Sequence, residues 1–104
     1  MISAIEEHRL GISDLCRRYH VRRLDVFGSA ARGTDFQQSH SDADFLVQFD
    51  NSAASLIDFV DLKEALERLL VRRVDLIDRR AIETSRNHIR RRAILEDAES
   101  LYAT

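Results

Sequence analysis

The sequence predicts one small α/β (α+β) domain over residues 1–104, with a mixed sheet of about three strands and helices packed on it. Three observations lead there. Segments with apolar residues at helical spacing alternate with short runs of β-branched and aromatic residues. The 104-residue length fits one domain, and no repeat, low-complexity stretch or interdomain linker divides it. The chain has three glycines and no proline, so glycine alone marks its sharp turns.

The elements follow in the order αβ(α)βαβα. Residues 3–20 read as an amphipathic helix. Ser3 and Glu6 have the spacing of a capping box, and Ile5, Ile12, Leu15, Cys16 and Tyr19 recur at helical spacing, with Gly11 weakening the centre. Residues 21–27 read as a strand ended by Gly28. Residues 29–33 read as a helical turn closed by Gly33, and the polar stretch 34–40 as a loop. Residues 42–50 alternate, with Ala43, Phe45, Val47 and Phe49 on one face and Asp42, Asp44, Leu46 and Gln48 on the other. After a loop at 51–54, Ser55 or Asp58 can cap a helix that reaches about residue 71, with Leu56, Phe59, Leu62, Leu66, Leu69 and Leu70 as its buried stripe. Residues 74–77 form a short strand. A last helix starts near Thr84 or Ser85 and turns Ile89, Leu95, Ala98, Leu101 and Tyr102 inward.

Composition narrows the function. Charged residues make up 33% of the chain, yet net charge is only −2, so there is no global attraction to nucleic acid or to anionic membranes. The one cysteine, Cys16, rules out an internal disulfide and reads as a small core residue. No Cys/His cluster has zinc spacing. The acidic start, without a long apolar run, is not a secretory signal, so a cytoplasmic protein is expected. Charge is uneven locally: residues 72–92 carry eight arginines against three acids, either as a solvated face or as a surface for phosphate or an acidic partner.

The chemistry concentrates between Gly28 and Asp75. Side chains at i and i+2 of a strand project to one side, so Asp42 and Asp44 stand together with Cα atoms roughly 6.5–7 Å apart. Two carboxylates that close repel unless a cation lies between them, and Mg²⁺ takes one or two carboxylates plus substrate phosphates. D-x-D alone also arises on ordinary exposed strand faces. If the strand containing Asp75 neighbours that of Asp44, Asp75 becomes a third acid on the same face, the arrangement that suits phosphoryl transfer. Asp78 is a weaker candidate at the end of that strand. Gly28 and Ser29 open a helical turn, where backbone amides and a hydroxyl can hold phosphate oxygens, and Arg32 lies one turn on. The same stretch can be a plain strand-to-helix connection. The Walker A lysine is missing.

Together, Gly28-Ser29-Ala30-Ala31-Arg32-Gly33, Ser41-Asp42-Ala43-Asp44 and Val74-Asp75-Leu76 resemble the minimal nucleotidyltransferase family of the DNA polymerase β-like superfamily, over nearly the whole chain. The resemblance implies a minimal palm-like fold and Mg²⁺-dependent transfer of a nucleoside monophosphate, usually from ATP, with release of pyrophosphate. It implies Gly28, Ser29 and Arg32 at the nucleotide, Asp42 and Asp44 on metal, and Asp75 on metal or as base toward the acceptor hydroxyl. Many members are antitoxins encoded beside a HEPN-domain toxin, an RNase, and those understood mechanistically neutralise it by adding AMP to a toxin tyrosine. The expected partner is therefore such a toxin, in a hetero-oligomer, with no nucleic acid or membrane. The stretch from Gly33 to Asp42 is a little longer than usual in the family, and 34–40 reads as an extended loop over the site; His40 stands beside the acids or in solvent. Two other functions fit the sequence: an antitoxin that acts by binding alone, and a nucleotidyltransferase for a small molecule or RNA. The second usually needs a further domain to shape its acceptor pocket.

Overall fold

A computed structural model describes residues 2–33, 42–50 and 56–104 of the chain. The expectations for loops 34–40 and 51–54, and for His40, Ser41 and Ser55, lie outside the described residues.

The helix predicted over 3–20 is two helices, α1 (Ser3–Glu7) and α2 (Arg9–Arg18). His8 makes the break. Its ring Nδ1 donates to the Ala4 carbonyl at 2.7 Å, the acceptor that the His8 amide would use in a continuous helix. That amide turns to the Ile5 carbonyl instead, at 3.1 Å. Ser3 does not cap: α1 begins on Ser3 itself, behind Ile2, with no side-chain cap bond.

Strand β1 (Val21–Phe27), the turn α3 (Ser29–Arg32), β2 (Ala43–Phe49), α4 (Leu56–Leu70) and β3 (Val74–Asp78) follow the patterns closely. Leu56 departs from its expected stripe at 79% exposed, and Ala65 is buried in addition. A short helix absent from the sequence reading, α5 (Arg79–Glu83), starts on Asp78, whose carboxylate accepts the Arg80 amide at 2.8 Å. Helix α6 (His88–Asp97) starts on Asn87, whose side chain accepts the Arg90 amide at 3.0 Å.

The last helix does not run to Tyr102. It ends at Asp97, and β4 (Glu99–Ala103) is a fourth strand where about three were expected. Leu101 and Tyr102 fit a helical stripe, but β1 offers an open edge, and β4 fills it antiparallel, with Tyr102 opposite Leu24 and Ser100 opposite Asp25. Satisfying that edge outweighs a weak helical pattern over five residues. Ile89, expected inward, is 85% exposed.

The sheet order is β3-β2-β1-β4. β1 pairs antiparallel with both β2 and β4, while β2 and β3 are parallel, joined by α4 as the crossover that parallel pairing requires. One face carries the main core. Leu24, Val26, Ala43, Phe45, Val47, Val74 and Leu76 from the strands pack there with Ile5, Ile12 and Cys16 of α1 and α2 and with Leu62, Leu66 and Leu70 of α4. Gly11 lets α2 and α4 approach: a Cβ there would stand 3.2 Å from the Leu69 methyls. On the other face, Phe27 and Leu46 pack with Ile82 of α5 and Ile94 of α6. The alternation that buries Phe45 and Val47 in the main core turns Asp44 and Leu46 to this second face.

Candidate active site

The site forms where three strands bring their polar positions together. Asp44 on β2 lies opposite Phe27, the last residue of β1, and opposite Asp75 on β3. Neighbouring strands run about 4.8 Å apart, so the two aspartates stand side by side. The parallel pairing of β2 and β3 is the adjacency on which Asp75's part in the site depends. Asp42 precedes β2 directly; it and Asp75 are exposed, and Asp44 is half-buried.

The acids feel one another. Burial, then the charges of Asp75 and Asp42, push the Asp44 carboxyl up to about 6, with Arg32 pulling the other way. A carboxyl raised first by burial and then by neighbouring carboxylates favours either a proton or a cation beside it. Carboxylate oxygens are the ligand type that Mg²⁺ takes. Among the described residues no three His, Cys, Asp or Glu side chains are placed so that together they could hold a metal ion.

Gly28 ties the turn to the acids. Its φ of 69° and ψ of −151° belong to a region that is essentially restricted to glycine. A Cβ added there would stand 2.7 Å from Asp44 Oδ2. The bare Cα therefore leaves the space in which the Asp44 carboxylate sits. The Gly28 carbonyl accepts the amides of Ala31 and Arg32, each at 3.1 Å, and Gly33 closes the turn in the left-handed conformation, its amide 2.7 Å from the Ser29 carbonyl. The Ser29 and Ala30 amides are the first of α3, groups that a helix leaves without an acceptor of its own. Arg32 pairs with Asp97 at the end of α6.

The structure thus brings Gly28, Asp44 and Asp75 together, with Asp42 and Arg32 close enough to shift the charge of Asp44. Asp78 is turned to capping α5. Two residues escaped sequence reasoning. Asp97 holds Arg32 from 65 residues away. Asp25, in the middle of β1, has no exposed surface and is held by Arg23 and Arg79. A lone acid between the apolar residues of L-D-V-F, within a strand pattern, was the available signal for Asp25. The arginine-rich segment is divided in use: Arg79 is spent on Asp25, Arg91 on His88 and the Ser85 carbonyl, and Arg92 on Glu96.

Comparison with known proteins gives the family and the fold. The family model for the nucleotidyltransferase domain matches residues 9–100. A curated relative from Thermococcus cleftensis, the protein adenylyltransferase MntA, is 41% identical over 71 residues, which span 68% of this chain and 69% of that one. A solved structure described as a candidate minimal nucleotidyltransferase superposes with a TM-score of 0.72 at 36% identity, covering 91% of this chain and 90% of the other. A mutant of the MntA–HpeT toxin–antitoxin complex superposes with a TM-score of 0.66 at 26% identity, covering 91% of this chain and 72% of that one.

Proposed function

The chain belongs to the nucleotidyltransferase domain family, in its minimal form, and from that premise we propose that it is an antitoxin-type protein adenylyltransferase. It transfers AMP from ATP to a tyrosine of a partner HEPN RNase toxin and so neutralises it. The carrying observation is the seating of Asp44: directly beside Asp75, close to Asp42, and against a glycine turn whose Cα must be bare to admit it. Support for the protein acceptor comes from the adenylyltransferase relative and the toxin–antitoxin neighbour.

In this reading the tyrosine oxygen attacks the α-phosphorus of ATP, the bond from that phosphorus to the bridging oxygen of the β-phosphate breaks, and pyrophosphate leaves. Asp42 and Asp44, with or without Asp75, would hold Mg²⁺, which would supply charge neutralisation at the phosphates. Asp75, the more exposed of the two facing acids, receives the proton of the attacking hydroxyl where its carboxylate is off the metal; where it is a ligand, that proton goes to solvent. The turn amides and hydroxyl of Gly28-Ser29 hold the triphosphate, and Arg32 adds positive charge beside it.

The test is incubation of the chain with α-labelled ATP, Mg²⁺ and a candidate HEPN toxin, taken from the product of the neighbouring gene. Label should pass to the toxin with the wild type and not with Asp42→Asn/Asp44→Asn. Absence of transfer, or equal transfer by the double variant, overturns the reading. A second reading, neutralisation by binding alone, is favoured by the exposed Arg86, Ile89 and Arg90 around the start of α6, a surface a partner can grip. It predicts that the same double variant still protects cells from the toxin.

A further inference from the structure

Asp25 is the one charged residue among the described residues that the fold buries completely. Its Oδ1 accepts from Arg23 Nε at 3.1 Å and its Oδ2 from Arg79 Nη1. The Arg79 side chain is itself only 16% exposed, whereas Arg23 is 43% exposed and reaches solvent. The pair between Asp25 and Arg79 is therefore the buried part of the cluster.

Its placement relates to the site. Asp25 lies three residues before Gly28, and Arg79 four after Asp75. Asp25 is opposite Leu46, two residues beyond Asp44. Leu24 and Val26 point into the main core, so Asp25 points to the face that carries Asp44. The ion pair thus crosses β2 on that face, from β1 to the junction of β3 and α5.

β3 has need of such a tie. It is a five-residue edge strand whose only neighbour in the sheet, among the described residues, is β2. It carries Asp75 beside Asp44, where like charges repel. A fold that required only stability at this point could use apolar side chains, because buried ion pairs give little net stability over well-packed hydrophobic ones.

We propose that Asp25 and Arg79 are positioning residues, whose buried ion pair holds β3 in place against β2 and so sets Asp75 beside Asp44. The proposal rests on the nucleotidyl-transfer reading of those acids. Neither residue touches nucleotide; both act through the strand that carries Asp75.

The test uses the full chain and Mn²⁺ as the probe for the acidic site, with free Mn²⁺ followed by electron paramagnetic resonance. Asp25→Leu/Arg79→Met removes both charges and keeps the bulk; Arg79→Lys keeps the charge and loses the planar fork. The double variant should melt near the wild type, exchange its Leu76 and Ile77 amides faster, and bind Mn²⁺ about ten-fold more weakly, the size of effect seen when groups behind metal ligands are removed. Arg79→Lys should fall between the two, and it decides the matter if the double variant does not fold. Mn²⁺ affinity equal to wild type in a folded variant, whatever happens to its melting point, overturns the proposal. The Asp44→Asn control separates the two levels: wild-type Mn²⁺ binding that does not depend on Asp44 overturns the nucleotidyl-transfer reading itself, and the positioning role with it.

Discussion

At Gly28 a single missing methyl group decides two things, the backbone path and the seat of a carboxylate. Gly28→Ala meets both a glycine-only conformation and Asp44 Oδ2 at 2.7 Å. It should destabilise the fold by about 1–3 kcal/mol and, by displacing the carboxylate, lower AMP transfer about a hundred-fold; thermal melting and the labelled-ATP assay read the two effects separately. Asp44 leads to a second prediction. Its carboxyl is held at about 6 in the fold against an ordinary 3.8, so the folded protein binds that proton more tightly than the unfolded chain. Stability from this group is fully present below about pH 4 and lost as pH rises through about 6. In EDTA, Asp44→Asn should therefore melt higher than wild type at pH 7.5, by about 1 kcal/mol once solvent screening of a half-exposed group is discounted, and the difference should shrink toward pH 4. A variant that melts lower at pH 7.5 contradicts this electrostatic account. Asp44 and Asp75 were legible in the sequence because strand alternation sets their side; the roles of Asp25 and Asp97 were not, because Arg79, the buried partner of Asp25, is 54 residues away and Arg32, the partner of Asp97, is 65.

Among the elements, those with strong local patterns were legible and those completed by distant partners were not. β1, β2, α4 and β3 carry their own apolar periodicity. β4 exists because β1 has a free edge, and the break between α1 and α2 exists because one histidine ring takes one carbonyl; neither cause is visible in apolar spacing. The end of α4 allows a direct check. Val71, just past the helix, has φ of 53° and is 86% exposed. A β-branched residue in the left-handed region costs about 1–2 kcal/mol, and almost no burial offsets it. Val71→Gly should raise stability by about 0.5–1 kcal/mol, after the larger backbone entropy that glycine loses on folding; a fall in the urea midpoint would contradict the strain.

The whole molecule is a four-stranded mixed sheet between a large apolar layer and a smaller one that ends in the acidic site. Cys16 reports on the larger layer: it is fully buried and its thiol is pushed up to about 12 by that burial. Native protein should react with a thiol reagent only as often as the core opens, so the labelling rate should rise with urea in step with unfolding; fast labelling in native buffer would show a core looser than this packing. At this scale the fold class and the nucleotidyltransferase family were both readable in the sequence, since a glycine turn, an acid on β2 with another just before it, and a third on β3 make a rare combination. The fourth strand was the part that needed three dimensions. That strand also has a practical consequence. β4 runs against β1 so that Glu99 stands by Val26, near the glycine turn, while the Thr104 amide reaches the Arg22 carbonyl at 3.0 Å, at the opposite end of the sheet. An affinity handle attached behind Thr104 therefore departs from the far end, and a protein tethered to a sensor surface by it would present its glycine turn and acids to the solution.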